Sequence, residues 1–135
     1  SRSDTGGIKK ATEADEQKMF VKYWRLQHPD ILIFADMKGV NLNIVQAANA
    51  KAAGCISGWP DLFIARKNKS FAGCFIELKR TGTRLRKRNG DWASSHIADQ
   101  GSVQQKLRDA GYYAEFAVGF DEAVRQAEEY FAIDP

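Results

Sequence analysis

Apolar residues recur along this chain with two different periods, and the alternation between them sets the order of elements. Thr12 can cap a first helix, with Asp15 three residues on as an approximate capping box. Phe20, Tyr23, Trp24 and Gln27 follow at helical spacing until His28-Pro29 stops the helix. Ile31 to Ala35 is a short apolar run, read as a strand or extended connection, and Asn43 to Ala53 is Ala-rich and helical, ended by Gly54. After the breaker Gly58-Trp59-Pro60, Asp61 to Arg66 and Phe71 to Lys79 read as strands of an antiparallel hairpin, turning over Lys67 to Ser70. Thr81 to Trp92, with Gly82 and Gly90, reads as a mobile loop. Ser94 or Ser95 caps a helix running to about Ala110 and ended by Gly111, and Tyr112 to Val118 is a strand. Asp121 caps a last helix with Ala123, Val124, Ala127, Tyr130 and Phe131 on one face.

The order α-β-α-β-β-α-β-α predicts one α/β domain, a small mixed sheet flanked by helices. A chain of 135 residues has little room for two cores, so residues 12–135 are expected to form a single domain behind a flexible leader or cloning remnant at 1–11. Hydrophobic residues at 44% and charged residues at 27% exclude a disordered tail. No apolar run is long enough to span a membrane, and no secretion signal is visible. Cys55 and Cys74 could form at most one bridge, and with only His28 and His96 besides they cannot build a zinc cluster. Reduced, cytoplasmic chemistry is the expectation.

The net charge of +3 says little, but its distribution says more. Nine cations lie between Arg66 and Arg88, opposed only by Glu77, whereas the last fifteen residues carry five acids against Arg125. A basic middle segment suits a polyanionic partner, because phosphate contacts release condensed counterions.

The chemistry concentrates in Pro60-Asp61 and Glu77-Leu78-Lys79. On a strand Glu77 and Lys79 project together while Leu78 points into the core, leaving its carbonyl to face a ligand. With the turn centred near Asn68 or Lys69, Asp61 falls opposite residue 76 or 77. Two neighbouring carboxylates repel unless a cation lies between them, and hard oxygen ligands suit Mg²⁺ or Mn²⁺. A lysine beside the cation can orient a water and help its deprotonation for attack on phosphorus. Either motif alone is more often a solvated strand end; their meeting across a hairpin carries the reading. Gln100 shares a helix face with Val103, Leu107 and Ala110, where it either satisfies a core hydrogen bond or points into the site near Lys79. Glu13, Glu16 and Gln17 open the first helix; such acids ordinarily serve the helix dipole, and a third carboxylate near the metal is the alternative.

Gly54-Cys-Ile-Ser-Gly58-Trp-Pro60-Asp61-Leu62, Phe75-Ile-Glu77-Leu-Lys79-Arg80, and Gln100 with Leu107 and Gly111-Tyr112 together resemble the VRR-NUC domains of the PD-(D/E)XK, restriction-endonuclease-like nucleases. Thr12 to Gln17 resembles the family's N-terminal Glu motif and Gly119-Phe-Asp-Glu-Ala its C-terminal helix entry, so the likeness runs from about Thr12 to Phe131, as in small stand-alone members, many carried by bacteriophages. Where members often carry Pro-Asn-Gly, this chain has Met37-Lys38-Gly39. The resemblance implies a restriction-endonuclease-like core. It implies that Asp61, Glu77 and the Leu78 carbonyl hold Mg²⁺ or Mn²⁺, that Lys79 activates water, and that Gln100 is the extra motif residue beside it. The N-terminal glutamate maps to Glu13 by its spacing to Gln17, with Glu16 the competing position. The activity implied is an endonuclease cutting DNA to a 5′-phosphate and a 3′-hydroxyl, on branched substrates such as Holliday junctions. A homodimer is expected, because one small chain has little surface for a four-way junction. Arg80, Arg84, Arg86, Lys87 and Arg88 are expected to grip phosphates, in a bacterial or phage-infected cell. The competing expectations are a catalytically silent DNA-binding module and a nuclease acting on RNA.

Overall fold

In the computed structural model, residues 11–37 and 42–135 are described. The leader through residue 10, and Lys38 and Gly39 of the Met37-Lys38-Gly39 segment, lie outside them. The elements run α1 (Glu13–Gln27), β1 (Ile33–Ala35), α2 (Ile44–Ala52), β2 (Leu62–Ile64), β3 (Cys74–Lys79), α3 (Ser95–Asp109), β4 (Tyr113–Val118) and α4 (Phe120–Ala132), in the order expected. The sheet order is β1-β2-β3-β4, with the first two pairings antiparallel and β3–β4 parallel across α3.

Strand alternation divides the interior in two. Leu62, Ile64, Cys74, Ile76 and Leu78 face α1 and α4 and are buried with Phe20, Trp24, Ala123, Ala127 and Tyr130. Phe75 faces the other way, packing with Leu107 and Ala114 beneath α3. Glu77 and Lys79 have the same parity as Phe75, so they belong to this second face.

Thr12 and Asp15 form a reciprocal capping box at α1, each backbone N–H donating 3.0 Å to the other's side chain. Three local expectations change and one alternative is resolved. The hairpin strands are shorter than Asp61–Arg66 and Phe71–Lys79, because Asn68 Oδ1 accepts from the backbone N–H groups of Ser70 and Phe71 and widens the turn. Ser94, not Ser95, caps α3. Asp121 does not cap α4: Gly119 occupies that position without a side-chain bond, and the Phe120 N–H donates instead to Glu16 Oε1 at 3.0 Å. The 81–92 loop is braced rather than slack. Arg86 bridges to Trp92, its guanidinium lies 3.8 Å from the Trp92 ring centroid, and it donates 2.8 Å to the Gly90 carbonyl.

α2 has a capping box of its own from Asn43 and Gln46, yet none of its residues is buried, and Ile44 is 89% exposed.

Gly58 fixes how the loop before β2 meets α3. Its φ is +83°, and an added Cβ would stand 2.9 Å from the Asp99 carbonyl oxygen and 3.1 Å from the Gln100 nitrogen. Gly58→Ala should therefore cost about 1–3 kcal/mol. Thermal melting checks this, and an unchanged midpoint would contradict the tight approach.

Candidate active site

The β2–β3 ladder ends at Leu62–Ile76, whereas β3 continues beside β4 as far as Lys79–Val118. Continued by one residue, the antiparallel register sets Asp61 opposite Glu77, with both side chains on one face and their Cβ atoms about 5 Å apart. The Asp61 carbonyl accepts from the Asp36 N–H at 2.8 Å, which extends the β1–β2 pairing to this point. Asp61 is half-buried; Glu77 is 1% and Lys79 5% exposed, with Lys79 Nζ 3.9 Å from Glu77 Oε2. The Leu78 side chain is buried in the main core.

This ion pair is a poor device for stability. At an effective dielectric near 20, unit charges 4 Å apart attract by about 4 kcal/mol, while desolvation costs several kcal/mol for each ion. A buried pair at the open end of a strand, beside Asp61, is a candidate functional site.

α3 covers this face with a buried stripe of Ile97, Gln100, Gly101, Gln104 and Leu107. Ala110, placed on the same stripe by spacing, is the exposed C-cap instead. Gln100 is buried, and its Oε1 has no hydrogen-bond partner among the described residues; the same holds for Gln104 Nε2. Gln104 was not singled out from the sequence, although its four-residue spacing from Gln100 was the available signal.

Two carboxylates, a backbone carbonyl and a buried amide oxygen are all hard acceptors, and this donor set fits Mg²⁺ or Mn²⁺. Among the described residues no three His, Cys, Asp or Glu side chains gather as a metal cluster. An ion here would thus rest on Asp61 and Glu77, with backbone and water completing its shell, as Mg²⁺ usually does.

The two N-terminal glutamates separate clearly. Glu13 is the first residue of α1 and half-buried. Glu16 is 4% exposed, and its carboxylate accepts from Thr81 N at 2.7 Å, Thr81 Oγ1 at 2.7 Å and Phe120 N at 3.0 Å. Burial pushes its pKa up, but the hydrogen bonds from Thr81 and Phe120, with the nearby Arg80 charge, hold it below the usual carboxylate value. Glu16 is committed to tying three elements together. Gly119 completes the junction: its N–H donates 2.7 Å to the Lys79 carbonyl, and at φ +94° an added Cβ would meet Thr81 Oγ1 at 2.8 Å.

The five basic positions expected to meet phosphate, Arg80, Arg84, Arg86, Lys87 and Arg88, are all exposed, directly beyond the Lys79 end of β3. Arg86 is also the brace of its loop.

The four-stranded mixed sheet flanked by helices is an α/β fold like that of a VRR-NUC domain. One solved structure, titled "VRR_NUC domain protein", is similar over 94% of this chain and 93% of its own, with a TM-score of 0.69 at 23% sequence identity. No family model and no curated protein matches the chain.

Proposed function

We propose that the chain is a divalent-metal-dependent nuclease hydrolysing DNA phosphodiester bonds, with a preference for branched DNA. The observation that carries this reading is the buried Glu77–Lys79 pair opposite Asp61 at the open end of the β2–β3 ladder. In it, Asp61, Glu77 and the Leu78 carbonyl hold Mg²⁺ or Mn²⁺, which when bound would stabilise charge developing on the phosphate. Lys79 orients the attacking water and favours loss of its proton, while Gln100 positions water or a phosphate oxygen. Glu13, the first residue of α1, would contribute its negative charge from outside the metal shell. The likeness in fold to a VRR-NUC domain protein supports the same chemistry.

The experiment is a panel of four-way junctions, flaps, nicked and gapped duplexes, and single-stranded RNA, each incubated with Mg²⁺, Mn²⁺ or EDTA. Cleavage of branched DNA that EDTA abolishes is expected. Binding without cleavage under every condition would favour the silent DNA-binding module, and cleavage confined to RNA would replace DNA as substrate.

The basic loop contributes affinity rather than sequence choice. Substituting Arg84, Lys87 and Arg88 together by Gln should lower the slope of log affinity against log salt by roughly 2 to 3. An unchanged slope would leave the loop as solvated surface.

A homodimer would offer two sites to a four-way junction, and the exposed apolar side chains of Phe34 on β1 and Ile44 and Val45 on α2 provide surface for it. Light scattering should give twice the chain mass of 15.1 kDa; an active species at the chain mass would rule the dimer out.

A further inference from the structure

A groove of about 500 Å³ runs between α1 and β1, walled by Gln17, Val21 and Ala35 and rimmed by Lys18, Lys22 and Arg25. It opens beside the candidate site. Gln17 Nε2 donates 2.6 Å to the Asp36 carbonyl, and the Asp36 N–H donates to the carbonyl of Asp61. The three cations are exposed, and among the described residues none forms an ion pair, whereas Lys69, Arg108 and Arg125 each do.

The charge order along α1 is sharply divided. Its acids, Glu13, Asp15 and Glu16, all lie in the first turn, and every later charge is positive. The helix dipole accounts for acids at the start and for Arg25 in the last turn, but not for Lys18 and Lys22 in the middle. Spacing supplies the reason. From residue 18 to residue 25 the helix rises about 10 Å. One strand of a duplex presents a phosphate about every 3.4 Å along its axis, so a row of cations this long can reach several successive phosphates of one strand. Val21 and Ala35 form an apolar floor on which the lysine stems can lie with their ammonium groups outward.

We propose that the α1–β1 groove is a second backbone track, binding the phosphates of the nucleic-acid strand that leaves the site past Asp36. This rests on the nuclease reading, and it places substrate contacts along α1, past the first turn that holds the start of the basic loop at Thr81. With the loop beyond Lys79, the track grips the substrate from two directions.

The test is fluorescence-anisotropy binding of the full chain to a labelled four-way junction in EDTA, so that no cleavage intervenes, across a range of salt. The track variant replaces Lys18, Lys22 and Arg25 together by Gln; a control replaces Lys67, Lys69 and Lys106, which lie toward the opposite end of the sheet. The track variant should bind about tenfold or more weakly at moderate salt, with a slope lower by roughly 2 to 3, and should melt like the wild type, while the control keeps most of both. Equal losses in the two variants would overturn the assignment, since net charge alone would then explain them. Wild-type affinity and slope in the track variant would also overturn it, leaving the groove to an acidic protein segment. If the wild-type chain binds no DNA at all, the nuclease reading fails first and the track with it.

Discussion

Lys79→Met and Asp61→Asn should each lower DNA cleavage by about 10²–10⁴-fold, the range a positioned proton-transfer group supplies, while the far-ultraviolet circular dichroism of both variants stays that of the wild type. Methionine keeps an unbranched stem at the buried position 79 and removes only the ammonium 3.9 Å from Glu77. Asparagine keeps the shape of Asp61 and one acceptor oxygen but discards the charge that balances a cation. The two changes separate two roles: raising Mg²⁺ or Mn²⁺ should restore part of the activity of Asp61→Asn and none of that of Lys79→Met. Full activity in both variants would remove the site from these residues.

Glu16→Ala should lower stability by about 3 kcal/mol or more, roughly 10 °C in the melting midpoint for a domain of this size. The loss follows from what is left behind. The Thr81 and Phe120 N–H groups are donors whose acceptor disappears, and hydrogen bonds to a charged group contribute about 1.5–3 kcal/mol each. Because Glu16 is 4% exposed, solvent screening offers little relief. Glu16→Gln, which keeps an acceptor oxygen, should lose less. Activity should fall with the alanine change, since Thr81 and Gly119 hold the backbone where β3 ends at Lys79. A midpoint within 1 °C of wild type would contradict the role.

The same carboxylate predicts an acid limb. In Glu16, and in Glu128 held by Tyr23 and His28, burial raises the pKa, but hydrogen bonding outweighs it and the folded value lies below the ordinary 4.5. The unfolded chain therefore binds these protons more tightly. Their contribution to stability is complete above the ordinary carboxylate range and is lost as pH falls below about 4.5 toward the lowered folded values. Glu16→Gln should flatten this limb in urea titrations between pH 5 and pH 3, and an unaltered limb would assign it elsewhere.

What the sequence revealed depended on range. The antiparallel hairpin turns within a few residues, so a turn centred near Asn68 or Lys69 brings Asp61 opposite residue 76 or 77, the register selects Glu77, and strand parity alone sends Leu78 to the core and Glu77 with Lys79 to the opposite face. The role of Glu16 was hidden because its partners lie 65 and 104 residues away, and because an acid in a first helical turn already has an ordinary explanation. The same long-range bond explains the misplaced cap of α4: Asp121 had the right residue type, but a carboxylate from α1 had already taken the Phe120 N–H. In the basic loop, residue type suggested slackness, whereas the Arg86 guanidinium stacked on Trp92 supplies a brace that depends on a turn between them. The groove cations were legible as letters, and only the placement of α1 against β1 turned them into a surface.

The central claim is that Asp61 and Glu77 share one divalent cation. Electron paramagnetic resonance titration of Mn²⁺ tests it without any substrate, comparing the wild-type chain with Asp61→Asn and Glu77→Gln. The account predicts one Mn²⁺ site per chain, weakened at least tenfold by either substitution; wild-type Mn²⁺ affinity in both variants would contradict it.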